Sequence, residues 1–249
     1  MSKLVQPRII HITRSVYIGT SNKFLMLLTK MSTSDRKFVF HHPSTHLIAG
    51  PTGCGKTQYV LKILRHKMIE PWPRRLIWVY SEWQSAYDEA RRLDSNIEFI
   101  HGYQPGLYDS ITPDSTNLVI LDDQMSDAGG SKQLADLFTQ GSHHRNLSII
   151  YIVQNVFDKG KSHRTASLNS HYITLFKNAR DQVQIETLAR QVFAQNAKRF
   201  TNTFRQATSE PFSYLVIDMS PRSGAGRNRA FADVYTNIFP KESTLLFYP

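Results

Sequence analysis

The feature that most limits how this chain can fold is the eight-residue segment Gly50–Thr57, which reads Gly-Pro-Thr-Gly-Cys-Gly-Lys-Thr. It matches every fixed position of the phosphate-binding loop G-x-x-x-x-G-K-[ST]. An apolar segment, Thr45–Ala49, precedes the loop, and a segment with helical character, Thr57–Ile69, follows it. A strand, this loop and a helix in that order predict a nucleotide-binding α/β domain.

Each residue type in the loop has a physical task. Gly53 and Gly55 allow the backbone to wrap closely, so that successive amides and the helix N-terminus point at phosphate oxygens. Lys56 supplies positive charge for the β- and γ-phosphates, and the Thr57 hydroxyl can coordinate magnesium. The sequence therefore predicts ATP and Mg²⁺ as ligands. The other loop positions predicted to contact the nucleotide are Gly50, Pro51, Thr52 and Cys54.

Two adjacent carboxylates follow the apolar segment Asn117–Leu121. Asp122 is placed to hold magnesium through water, as the carboxylate at the tip of a Walker B strand does. Asp123 stands where additional-strand ATPases carry the carboxylate that polarises the attacking water. Glu is usual at this position, and the shorter side chain of Asp123 brings its carboxylate less far from the backbone. Two such carboxylates can also be ordinary turn residues, but the complete loop favours a catalytic pair.

From Thr45 onward, continuous apolar segments alternate with amphipathic ones. This alternation is typical of a mainly parallel sheet with helices on both faces. Two predicted strands lie between the loop and Asp122, which favours the additional-strand division of P-loop proteins. The predicted strands are Thr45–Ala49, Arg75–Ser81, Ile97–Ile100, Asn117–Leu121, Ser148–Val153, His171–Phe176 and Phe212–Met219. The predicted helices are Thr57–Ile69, 84–93, Ser131–Gln140 and Asp181–Phe193.

These elements place one ATPase domain at residues 45–220. Residues 1–44 are predicted to be a basic, disordered arm, or an extension upstream of a start at Met31, and residues 221–249 a C-terminal tail. No apolar run approaches the roughly 20 residues that a membrane-spanning helix needs, so we expect no membrane protein. The single cysteine, Cys54, excludes an internal disulfide and fits a soluble protein of a reducing, intracellular compartment.

The charge is strongly basic and unevenly placed. The chain carries 30 Lys and Arg against 20 Asp and Glu, a formal charge of +10. Residues 140–230 alone hold 13 basic and five acidic residues. Such an excess favours a polyanionic partner, most plausibly nucleic acid, although a solvated basic face without a partner is the alternative.

Four segments together carry a resemblance to a known family. They are the loop 50–57, the strand end 121–123, the segment 141–155 (Gly-Ser-His-His-Arg-Asn-Leu-Ser-Ile-Ile-Tyr-Ile-Val-Gln-Asn) and the segment 175–181 (Leu-Phe-Lys-Asn-Ala-Arg-Asp). With them the chain resembles the FtsK–HerA superfamily, and most closely the genome-packaging ATPases of the poxvirus type, also found in Maverick/Polinton-like elements and giant viruses.

The resemblance implies a RecA-like, additional-strand ATPase that forms a homo-oligomeric ring and translocates double-stranded DNA into capsids. It further implies a viral or virus-like origin, with action in the host nucleus, a cytoplasmic viral factory or the virion. Arg145 matches the family's arginine finger, which acts on a neighbouring subunit's nucleotide, and Arg180 is the second candidate. Gln154, at the tip of its strand, can contact the γ-phosphate or the attacking water.

Three alternatives stay open from the sequence. One is another P-loop DNA motor, such as a helicase or a segregation ATPase, which would share every site residue. A second is a P-loop kinase acting on a small acceptor, although no clear lid arginines or acceptor pocket are visible. The third is a scaffold that binds nucleotide without turnover. A GTPase is disfavoured because the chain lacks the N-K-x-D sequence that recognises guanine.

Overall fold

The computed structural model describes residues 38–104, 106–122, 135–141, 145–157, 161–178, 182–220, 233–239 and 244–246. The strands within these ranges are β1 (Phe40–His41), β2 (Thr45–Ala49), β3 (Ile69–Glu70), β4 (Arg75–Tyr80), β5 (Ile97–His101), β6 (Asn117–Leu121), β7 (Leu147–Val153), β8 (Tyr172–Phe176), β9 (Tyr214–Asp218), β10 (Asp233–Thr236) and β11 (Thr244–Leu246). The α-helices are α1 (Lys56–Arg65), α2 (Ser85–Leu93), α3 (Leu107–Ser110), α4 (Lys161–Leu168), α5 (Gln182–Phe193) and α6 (Ala197–Ala207).

Nine of these strands form one sheet, in the order β11-β10-β9-β8-β2-β7-β6-β4-β5. The six strands from β8 to β5 in that order run parallel to their neighbours. The last three strands, β9, β10 and β11, pair antiparallel. The prediction of a mainly parallel α/β sheet is therefore confirmed.

The additional strand of this sheet is β7. It lies between β2, which leads into the phosphate-binding loop, and β6, which ends at Asp122. Tyr151 of β7 is paired with Leu47 on one side and with Leu121 on the other. The additional-strand class is thus confirmed, but the reason given by the sequence was wrong, because the intervening strands β4 and β5 lie beyond β6.

Helices cover both faces of the sheet, as predicted. Alternate residues of the buried strands point to opposite sides, so that Ile48 and Leu47 belong to different hydrophobic clusters. The first cluster contains Leu47 and the buried faces of α5 and α6. The second contains Ile48 and the buried faces of α1 and α2. The central strands are therefore buried on both sides, which explains their largely apolar sequences.

The first helix is shorter than predicted. It ends at Arg65, and Lys67 then adopts a left-handed φ of 47°. Ile69 and Glu70 form β3, which pairs with β1. Pairing with β1 therefore takes Ile69 and Glu70 out of the predicted helix.

The folded part of the chain reaches beyond both ends of the stretch 45–220. Phe40, in the predicted disordered arm, is 2% exposed. On the other side, β10 pairs with β9, and Phe239 is 1% exposed. Both side chains belong to the cluster that contains α1. Within the described ranges, no helix has the length and apolar character needed to cross a membrane.

A buried polar chain lies between α1 and the sheet. His46 Nε2 is 2.7 Å from Thr174 Oγ1, and the Thr174 hydroxyl donates to the Tyr59 hydroxyl at 3.0 Å. All three side chains are buried. Burial disfavours the charged imidazolium and lowers the pKa of His46 to about 3.

This burial predicts a loss of stability in acid. Between about pH 6.5 and about pH 3, the unfolded chain protonates His46 while the folded chain does not, so the free energy of unfolding falls as the pH falls. The variant His46→Gln lacks the titrating group. Its free energy of unfolding should therefore depend less on pH, by about 1.4 kcal/mol per pH unit. Urea unfolding of both proteins between about pH 6 and about pH 4 measures this difference, and equal slopes would contradict the assignment.

Candidate nucleotide-binding site

A cleft of about 530 Å³ opens at the carboxyl edge of the parallel strands. Ligands of open α/β sheets bind at this edge, because the loops that follow the strands meet there. One part of the lining is formed by Thr52, Gly53, Gly55, Lys56, Thr57 and Gln58, from the predicted loop and the start of α1. Asp122, after β6, and Gln154, after β7, line the same cleft.

The loop backbone follows the path that its glycines permit. Gly55, directly before α1, has a φ of +103°, in the left-handed region that other residues avoid. A Cβ at Gly50 would lie 2.7 Å from both Cys54 Sγ and Phe176 Cβ, so a side chain there would force the loop apart. Local steric limits therefore favour glycine at the two fixed positions of the motif, Gly50 and Gly55.

Lys56 is held inside the loop. Its Nζ donates to the carbonyl oxygens of Gly50 at 2.6 Å and Pro51 at 3.1 Å. The side chain is buried, and these two carbonyls compensate part of the cost of removing an ammonium group from water. The bonds fix the positive charge at the wall of the cleft, where phosphate oxygens would meet it.

Asp122 and Thr57 provide oxygen atoms of the kind that magnesium prefers. Asp122 is 7% exposed, and its carboxylate accepts a hydrogen bond from the Tyr87 hydroxyl at 2.6 Å. Its backbone N–H donates to the carbonyl oxygen of Val79 in β4 at 3.0 Å, which fixes the end of β6. Because both side chains line one cleft, the residues present fit a magnesium ion bound between protein and phosphates.

Tyr87 is the residue that sequence reasoning missed. It lies on α2 and is 1% exposed. In the sequence alone, it cannot be distinguished from an aromatic residue that only packs in the core. Burial, together with the hydrogen bond to Asp122 and the charge of Asp122, raises the pKa of Tyr87 far above its usual value. The hydroxyl therefore stays protonated and acts as a donor that orients the Asp122 carboxylate.

Gln154 and Arg145 lie at opposite ends of β7. Gln154 follows the strand and is exposed in the cleft. Arg145 lies before β7, at the opposite edge of the sheet. The seven residues of β7 separate the two edges by about 20 Å. Arg145 Nη1 donates to the carbonyl of Ile111 at 2.8 Å, and its guanidinium lies 4.3 Å from the centre of the Tyr108 ring.

The structure therefore brings together Lys56, Thr57, Asp122 and Gln154, and it places Arg145 away from them. Asp123 and Arg180 lie outside the described residues. Their roles as water-orienting carboxylate and second finger candidate stay predictions.

No protein-family model matches this sequence, and a search of curated proteins gives no match. Solved structures show distant likenesses. One is to B204, the DNA-packaging ATPase of Sulfolobus turreted icosahedral virus, with 12% identity, 77% of this chain and 96% of that chain covered, and a TM-score of 0.49. Another is to the flagellar accessory protein FlaH of Methanocaldococcus jannaschii, with 10% identity, 84% and 92% covered, and a TM-score of 0.42.

A further likeness is to ATPases 2 and 3 of EssC from Geobacillus thermodenitrificans, with 12% identity, 53% of this chain and 31% of that chain covered, and a TM-score of 0.39. Identities and TM-scores this low leave the functional proposal to the residues of this chain.

The contact between Tyr87 and Asp122 yields a test of the magnesium site. Tyr87→Phe removes the donor and frees the carboxylate to rotate, so the Mg²⁺ concentration needed for half-maximal nucleotide hydrolysis should rise roughly tenfold, as for a lost hydrogen bond to a charged group. Titration of turnover with Mg²⁺ measures this shift. Tyr80→Phe removes a hydroxyl from the same aromatic cluster and is the control. Equal Mg²⁺ requirements in all three proteins would show that Tyr87 does not position Asp122.

Proposed function

We propose that this chain is an ATPase that translocates double-stranded DNA, and that its task is to package the genome of a virus or virus-like element into capsids. The observation that carries the ATPase part is the single cleft that joins Lys56 and Thr57 of the loop to Asp122 and Gln154. The loop follows β2, Asp122 follows β6 and Gln154 follows β7, and the additional-strand order of the sheet brings them to one edge.

Each site residue has a proposed role in hydrolysis. The backbone amides of the loop and Lys56 bind the β- and γ-phosphates, which places the terminal phosphorus at the Asp122 end of the cleft. Thr57 and Asp122 would hold magnesium, which when bound neutralises charge on the phosphates. Asp123 orients the attacking water and accepts its proton. Gln154 donates to the γ-phosphate or to that water.

The proposed DNA partner is supported by the basic charge of the chain. The formal charge is +10, and the exposed basic residues of α5 and α6 include Arg190, Lys198, Arg199 and Arg205. Lys and Arg on a surface bind duplex phosphates without regard to base sequence. This property suits a motor that must move along any sequence.

The position of Arg145 supports a ring. At about 20 Å from the nucleotide edge of its own sheet, Arg145 cannot reach the phosphates in its own cleft. Any contribution it makes to hydrolysis is therefore in a neighbouring subunit, where its charge would stabilise the transition state. We propose a homo-oligomeric ring with Arg145 as the finger, with capsid components as further partners.

The central experiment is ATP turnover by the purified protein with and without double-stranded DNA. Wild type should hydrolyse ATP with Mg²⁺, and duplex DNA should raise the rate. Lys56→Ala should lose both binding and turnover, because it removes the buried charge that faces the phosphates. Lys67→Ala removes an exposed lysine beyond the far end of α1 and is the control. Turnover that needs a small phosphate acceptor instead of DNA would identify a kinase.

The trans role of Arg145 is tested by mixing two inactive variants. Arg145→Ala should bind ATP yet lose most turnover, and Lys56→Ala is inactive because its own site is broken. In a mixed ring, the Arg145 of a Lys56→Ala subunit can face the intact cleft of an Arg145→Ala subunit, so partial ATP turnover should return.

Two control measurements are needed to interpret the activity of the mixture. Thermal unfolding of Arg145→Ala shows whether loss of the contacts to Ile111 and Tyr108 has damaged the fold. Sizing in the presence of ATP shows whether the variants assemble together. A mixture that assembles but stays inactive, while wild type doped into either variant is active, would exclude Arg145 and make Arg180 the residue to test.

A further inference from the structure

The cleft has a second end that the hydrolysis chemistry does not use. In the sheet, β8, β9 and β10 lie on one side of β2, while β7 and β6 lie on the other. The polar residues Asp122 and Gln154 belong to the β6 and β7 side. The side chains contributed by β8, β9 and the chain around them are all aromatic: Phe176, Phe212, Tyr214 and Phe239.

Sheet geometry explains why these aromatics meet the loop. Phe176 is the last residue of β8 and Tyr214 the first of β9, and the two are paired across the antiparallel ladder. Phe239 follows β10, which runs back to the same edge. The aromatic end therefore lies along the carboxyl edge of the parallel strands, beside the phosphate-binding loop.

One of the four rings is exposed to solvent. Phe176, Tyr214 and Phe239 are at most 5% exposed and form the floor of this end, whereas Phe212 is 70% exposed. The Phe212 ring stands next to the loop, since a Cβ built at Gly55 would lie 3.4 Å from Phe212 Cδ1. A ring this exposed gains little stability from burial, so core packing does not account for a phenylalanine at position 212.

The backbone at Phe212 gives a second, independent observation. The Ser213 N–H donates to the Glu210 carbonyl at 3.3 Å, which closes a four-residue turn over Glu210–Ser213. Pro211 takes the second position of this turn, and Phe212 takes the third with a φ of 61°. A turn with proline second and a positive φ third is typical of type II, in which glycine is the usual third residue. A bulky side chain there is strained, and such strain concentrates at ligand contacts.

We propose that the exposed ring of Phe212 stacks on the base of a bound purine nucleotide. The inference rests on the proposed ATPase function. With the phosphates on the loop and the terminal phosphate toward Asp122, the ribose and base extend to the other side of β2. Two strand spacings, about 10 Å, separate β2 from β9, which places Phe212 within reach of the base.

Stacking also determines which nucleotides the site favours. An aromatic face contacts the π-face of any base, and the contact grows with the area of the base, so purines gain more than pyrimidines. The ring presents no hydrogen-bonding atoms, so Phe212 itself does not separate adenine from guanine. It adds affinity through the base and leaves the affinity for the phosphates unchanged.

The test compares ADP, UDP and inorganic pyrophosphate, none of which is a nucleoside triphosphate. In Phe212→Ala, calorimetry should show ADP binding about tenfold weaker than in wild type, as for one lost stacking contact, while pyrophosphate binding is unchanged. The ratio of ADP to UDP affinity should fall toward one. Phe212→Tyr keeps the ring and should restore ADP binding.

A control variant removes an equally exposed apolar side chain elsewhere. Val183, at the start of α5, is also 70% exposed and does not line the cleft, so Val183→Ala should bind ADP as wild type does. Phe212→Ala should melt close to the wild-type temperature, since the ring is exposed and alanine keeps the Cβ at this positive φ.

The outcomes separate the two proposals. Equal ADP affinity in wild type and Phe212→Ala would overturn stacking and leave the ATPase proposal in place. An equal loss of ADP and pyrophosphate affinity in Phe212→Ala would also overturn stacking, because the ring would then act by shaping the loop. Failure of wild type to bind either ADP or pyrophosphate would overturn the ATPase proposal itself.

Discussion

The hydrogen bonding of β7 between β2 and β6 is the constraint on which the rest of the site depends. It sets the phosphate-binding loop and Asp122 two strand spacings apart, about 10 Å. That gap is wide enough for a terminal phosphate, a metal ion and a water. It also places Gln154, which follows β7, between the loop and the carboxylate. A sheet in which β2 paired directly with β6 would close this space.

The same sheet order divides the cleft into two ends with different chemistry. The β6 and β7 side supplies a carboxylate and an amide, whereas the β8, β9 and β10 side supplies aromatic rings. The loop lies between them on β2. The proposed ligand, a nucleotide, is likewise polar at one end and aromatic at the other. The division into two ends is a property of the strand order, since Asp122 at one end and Phe239 at the other are 117 positions apart in the sequence.

Arg145 and Gln154 lie at the two ends of one strand, β7. The strand that puts Gln154 into the cleft puts Arg145 at the opposite edge, where Ile111 and Tyr108 hold it. In the proposed ring, a cation this far from its own cleft would act in hydrolysis only across a subunit interface. Coupling between neighbouring sites would then follow from a rigid strand, without a long path of side-chain contacts through the core.

The sequence by itself determined the features that depend on local patterns. The loop motif and the fully buried strands β2 and β6 were predicted with their observed bounds, because a strand buried on both faces is largely apolar. Contacts between distant residues were decided only by the tertiary structure. These include the place of β7 in the sheet, the bond from Tyr87 to Asp122, the end of α1 at Arg65 and the position of Phe212 beside Gly55. Each depends on which strands pair and how they pack, and local periodicity predicts only the type of each element, not its partners.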